Sequence, residues 1–120
     1  PMNTSERITN LKASYKAFEP QSLEKLSELL RFPSISADPA SQPAVRECAS
    51  WLIDYLTEIG FQVSQWEIPS SGPPTVFAEY RASASAPTVL IYNHYDVQPV
   101  DPLELWSSPP FEPEIRDGEI

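Results

Sequence analysis

Fourteen prolines decide where regular structure can run in this chain before any other feature does. Each lacks an N–H and fixes its own φ, so each must start an element, end one or stand outside. Pro20 and Pro33 bracket two apolar patterns of helical period. Ile8, Leu11, Tyr15 and Phe18 recur at steps of three and four, which predicts a helix capped by Thr4 or Ser5 and stopped at Pro20. Leu23, Leu26 and Leu30 predict a second, short helix that Pro33 closes, with Glu24, Lys25 and Glu28 outward. The FPSISADPASQP stretch is loop by composition. Pro43 suits the first turn of a third helix, whose stripe is Val45, Ala49, Leu52, Leu56 and Ile59. Gly60 stands where a left-handed C-terminal cap is wanted.

Beyond Gly60 the period falls from 3.6 to 2. Phe61–Ile68 and Thr75–Tyr80 read as strands, with SSGPP turning the chain between them. Thr88-Val89-Leu90-Ile91-Tyr92 is a continuous apolar run, as in a central strand buried on both faces. Helices preceding a mixed set of strands give an α/β layer arrangement over residues 1–120, with no repeat or composition shift to divide it. Pro99, Pro102, Pro109, Pro110 and Pro113 exclude long elements from Val97 to Glu114. Glu114-Ile115-Arg116 then reads as a strand entering an Asp117-Gly118 hairpin turn, after which only Glu119 and Ile120 follow.

Charge and composition exclude several function classes. Lys and Arg total 8 against 17 Asp and Glu, a net charge of −9, and no basic cluster is present. That field repels phosphate, so no nucleic-acid partner is expected. Disorder is excluded by a hydrophobic share of 41% with 21% charged residues. A lone Cys48 and a lone His94 rule out a disulfide scaffold and a closed zinc module. The first eighteen residues carry acid and polar groups where a signal peptide needs an apolar run. Nor does any stretch approach the roughly 20 apolar residues of a membrane span. The expectation is a cytoplasmic protein with no membrane partner.

His94 falls where the apolar run ends, and active sites of open α/β sheets gather at the carboxyl ends of strands. Asp96 is two residues on, on the same side of extended backbone. A carboxylate there accepts the proton of one ring nitrogen and leaves the other as a lone-pair donor for a metal. His-x-Asp also fits an ordinary strand-end histidine beside a turn acid, and on the tripeptide alone that plainer reading is the stronger. Other chemistries find less support. There is no G-x-S-x-G elbow and no phosphate-cradling glycine loop. Ser34 and Ser36 read as loop hydrogen-bonders, Cys48 as a buried core thiol, and Glu112 and Glu114 as solvated acids.

The longer string TVLIYNHYDVQPVDPLELWSSPPFEPEIRDGEI resembles the di-zinc metallopeptidase family of carnosinases, Cys-Gly dipeptidases, aminoacylases and glutamate carboxypeptidases. The likeness runs through His94-Tyr95-Asp96-Val97-Gln98-Pro99, Leu105-Trp106, Pro109 to Pro113 and Asp117-Gly118. Upstream it takes in Phe32-Pro33-Ser34-Ile35-Ser36 and Ile59-Gly60-Phe61, so that it covers roughly residues 20 to 120. The HYDVQP form leans toward the dipeptidase branch.

The resemblance implies N-terminal helices plus the first strands of a mixed-sheet, zinc-peptidase-like catalytic domain. His94 is then a ligand of one of two zinc ions, and Asp96 the catalytic-site acid that orients it. The reaction implied is hydrolysis of the amide bond of dipeptides or N-acyl amino acids by a metal-activated water. Manganese or cobalt suits the same donors as zinc. Asn93 departs from the family, which usually has Gly before the His. The family's other metal ligands, general base and lid and dimerisation domain all follow the Asp-Gly hairpin. These residues are therefore expected to be the opening third or less of a homodimeric enzyme, and inactive alone. A different class of function is a small acidic α/β domain that binds protein or peptide through its Pro99–Pro113 loop, without catalysis.

Overall fold

The computed structural model describes residues 1–69 and 72–120. The first element, α1, is a single helix over Thr4–Leu30. Asn3 caps it, not Thr4 or Ser5. The Asn3 side chain accepts from the Glu6 N–H at 2.9 Å, and the Glu6 carboxylate accepts from the Asn3 N–H at 2.9 Å. That reciprocal pair is a capping box. Pro20 lies inside α1 and does not divide it, contrary to the two-helix expectation. A proline removes one i→i−4 bond, and the Ala, Leu, Lys, Glu and Gln on both sides are helix formers that carry the helix past it. No residue of α1 is buried.

A 3₁₀ turn at Pro39–Ser41 leads into α2, Gln42–Glu58, with Pro43 in its first turn. The other end is closed by glycine as the sequence implies. Gly60 has φ +100°, its N–H reaches Thr57 O at 3.1 Å, and the Phe61 N–H reaches Leu56 O at 2.9 Å. These are the paired bonds of a Schellman motif, which satisfy carbonyls the helix leaves open. Val45, Cys48 and Ala49, one face of α2, are buried and form the core.

Two strands pack against α2: β1, Gln62–Trp66, and β2, Thr75–Glu79. They pair antiparallel from Gln62↔Glu79 to Trp66↔Thr75. Trp66 and Phe77, diagonal across the pair, stack with centroids 4.8 Å apart. Of the turn expected at SSGPP, Ser70 and Ser71 lie outside the described residues.

The apolar run Thr88–Tyr92 corrects the expectation of a buried central strand. It joins no ladder, and Val89, Leu90, Ile91 and Tyr92 are 80%, 87%, 79% and 88% exposed. Among the described residues β1 and β2 form the sheet, and nothing in it reaches this segment. The same shortage of cover appears in the total. The chain exposes 9737 Å², whereas a self-contained fold of 13.5 kDa exposes about 6,500 Å².

The tail after a 3₁₀ turn at Leu103–Leu105 is irregular. Glu114–Arg116 does not form the expected strand. Only Arg116 bridges, to Glu119, around Asp117 and Gly118 at φ 52° and 83°. Left-handed backbone at both central residues is what Asp-Gly supplies. No helix of the described residues is long and apolar enough to cross a membrane.

Candidate metal centre

The loop after α1 and the segment after the exposed run meet side by side. Short turns set the loop, with Ser34 N–H on Phe32 O and Ile35 N–H on Pro33 O, both at 2.8 Å. Ile35 then bridges Val97 in parallel, and the Val97 N–H donates to Ser34 O at 2.9 Å. Ser34 is buried, and its hydroxyl donates to Tyr95 O at 2.9 Å. The Tyr95 phenol donates to the carbonyl of Pro74, just before β2. Residues 94 to 97 are thus held by backbone and side-chain bonds from two directions.

Within that frame His94 and Asp96 come together as their spacing implies. His94 Nδ1 lies 3.1 Å from Asp96 Oδ1 and 2.9 Å from the Asp96 carbonyl oxygen. Both neighbours are acceptors, so the neutral ring carries its proton on Nδ1 and keeps a lone pair on Nε2. The His94 side chain is 77% exposed, so the ring stands out into solvent. Asp96 is anchored from behind, because the Ser36 hydroxyl donates to its Oδ2. That bond lowers its carboxyl more than burial raises it, and the bond from His94 adds to the lowering, so the carboxyl lies below the usual range.

The remaining candidates fall elsewhere. Cys48 is buried, with Sγ 3.9 Å from Tyr95 O, and burial pushes its thiol up and away from the reactive thiolate. Glu114 pairs with Arg116 at 2.8 Å on the surface. The Trp106 indole N–H closes its proline-rich loop onto Val100 O at 2.8 Å. Ser36 was legible only as a loop hydrogen-bonder. Its partner lies 60 residues away, and no local pattern marks the pairing.

The pair fits one metal ligand with its supporting acid, since an exposed imidazole with a free Nε2 and a carboxylate on Nδ1 is the usual form of such a ligand. The described residues bring together no group of three or more His, Cys, Asp or Glu that could hold a metal ion.

No family model matches the chain. Over 72% of its length it is 37% identical to the Cys-Gly metallodipeptidase dug1 of Schizosaccharomyces pombe. Over 78% it is 32% identical to the Cys-Gly metallodipeptidase DUG1 of Candida albicans. The solved structure of the dipeptidase Dug1p from Saccharomyces cerevisiae matches 87% of the chain with a TM-score of 0.79 at 25% identity. Over most of its length this stretch of chain is similar to the Cys-Gly metallodipeptidases. It spans 20% and 21% of the two curated relatives and 24% of the solved chain.

Proposed function

We propose that these residues contribute one metal ligand and its orienting acid to a hydrolase that cleaves the amide bond of dipeptides or related N-acyl amino acids. The observation that carries the reading is the 3.1 Å contact of Asp96 Oδ1 with His94 Nδ1, in a chain related to Cys-Gly metallodipeptidases. His94 donates Nε2 to the metal, and Asp96 keeps the proton on Nδ1 and the ring in place. Zinc, when bound, supplies Lewis-acid polarisation of the amide carbonyl and an activated water. Tyr95 and Val97 position the pair through backbone held to the 34–36 loop. Residues 1–120 are read as one part of the catalytic domain; the second zinc and a homodimer rest on the family resemblance.

The test is His94→Ala in the full-length protein, which should abolish dipeptide hydrolysis with the fold retained. Turnover at the original rate would remove His94 from the site. The 120-residue chain has one imidazole where a catalytic zinc needs about three protein ligands. Isothermal titration of that chain should therefore find weak zinc binding, and tight stoichiometric binding would contradict the partial ligand set.

A further inference from the structure

We propose that Ser36 is a positioning residue for His94: by donating to Asp96 Oδ2, its hydroxyl holds Oδ1 on the imidazole Nδ1–H, which keeps the ring aimed and its Nε2 a strong donor. The inference rests on the metal-ligand reading of His94. A carboxylate has two equivalent oxygens on a soft torsion, so one contact to a ring nitrogen leaves it free to swing. The Asp96 side chain is 36% exposed, and water competes for both oxygens. The Ser36 hydroxyl occupies Oδ2 and leaves Oδ1 facing Nδ1.

The hydroxyl is itself delivered by a fixed frame. Gln42, the first residue of α2, donates its side-chain amide to the Ser36 carbonyl at 2.9 Å. The Ile35–Val97 bridge and the bond from the Val97 N–H to Ser34 O tie the preceding residues to the segment that carries Asp96. Ser34 provides the contrast. Its hydroxyl holds a backbone carbonyl, that of Tyr95, and touches neither member of the pair. The Asp96 carbonyl also accepts from Nδ1, at 2.9 Å, and secures the tautomer. The share of Ser36 is the charged acceptor, whose bond to a ring N–H is about twice as strong as that of a neutral one.

The test uses the full-length protein, stripped of metal and then titrated with zinc against a chromophoric chelator. Two quantities are read: the His94 Nδ1–H proton resonance in the metal-free form, assigned by its loss in His94→Ala, and the zinc affinity. Ser36→Ala should move the resonance upfield, speed its exchange with water and weaken zinc about 10-fold, the lower end for such partners. Ser36→Thr, which keeps the hydroxyl, should restore both. Ser34→Ala, which frees the Tyr95 carbonyl, should lower the unfolding temperature.

An unaltered resonance and affinity in Ser36→Ala overturns the proposal. A shifted resonance with unaltered affinity, where His94→Ala does weaken zinc, overturns it as well. If Ser36→Ala does not fold, Ser36→Cys, which keeps the bulk with a weaker donor, takes its place: both quantities must move in the same directions, and either one unaltered overturns the proposal. Zinc affinity unchanged in His94→Ala rejects the metal reading by itself, while the Nδ1–H resonance still decides whether Ser36 holds the pair.

Discussion

The indole N–H of Trp51 donates to Glu28 Oε2 at 3.0 Å, joining the last turns of α1 to the middle of α2. The Lys25 ammonium pairs with the same carboxylate at 3.2 Å and lies 5.9 Å from the Tyr55 ring, which stacks on Trp51. Lys25 and then Trp51 hold the Glu28 carboxyl below its usual range, and Glu28 in turn raises Lys25.

Those directions fix a pH dependence. A carboxyl depressed in the fold stabilises it fully above the ordinary glutamate range, and that contribution is lost as pH falls through the lowered value. The raised lysine acts at the other end, contributing below its ordinary range and fading as pH rises through the higher value. Carbon-detected titration of the side-chain carboxyls should find Glu28 protonating below the ordinary glutamate range, with the Trp51 indole proton moving in step. Titration of Glu28 within the ordinary glutamate range would show the ion pair to be too well solvated to matter.

The cap of α2 gives a conformational prediction. At Gly60 an added Cβ would meet Tyr80 Cε2 at 3.7 Å, an ordinary contact, so space is not the obstacle. The obstacle is φ +100°. Gly60→Ala should cost about 1–2 kcal/mol from left-handed strain, and Gly60→Asn less. Denaturant unfolding of the full-length protein measures both, and equal stability of the three would show that the Schellman bonds do not require this backbone.

How much could be read in advance depended on whether the cause was local. Pro43, the stripe of α2 and Gly60 lie within one element, and the helix forms where they place it. Asp117-Gly118 turns as read, because its preference is a property of two residues. Pro20 misleads since its penalty is one bond, while the sequence on both sides favours helix. His94 and Asp96 are two residues apart, so their meeting is a local contact of the chain. Ser36 and Asp96 meet only because residue 35 bridges residue 97, and no periodicity encodes a contact across that distance.

Tyr95 links the site to the sheet, and its loss should be felt as stability. Burial keeps the phenol neutral, and it donates to Pro74, a buried residue. Tyr95→Phe preserves the ring and leaves that carbonyl without a partner, at a cost of about 1–3 kcal/mol. Thermal unfolding of the metal-free full-length protein checks it. An unchanged unfolding temperature would mean that water replaces the phenol at no cost.

The exposed run Val89–Tyr92 yields a prediction whose sign depends on what surrounds it. All four side chains are at least 79% exposed, and successive ones point to opposite faces of extended backbone. A bare apolar segment with unpaired N–H and C=O groups is a template for association. The 120-residue chain alone should therefore bind a hydrophobic dye and form oligomers, and Leu90→Lys with Ile91→Lys, one charge on each face, should suppress both. In the full-length protein the same pair should act in the opposite sense. If further chain covers the run on both faces, two unpaired buried charges cost several kcal/mol and the protein should fail to accumulate as a folded species. Dye-free, cooperative unfolding of the 120-residue monomer, together with a full-length protein indifferent to both lysines, would show that the run is an ordinary surface segment.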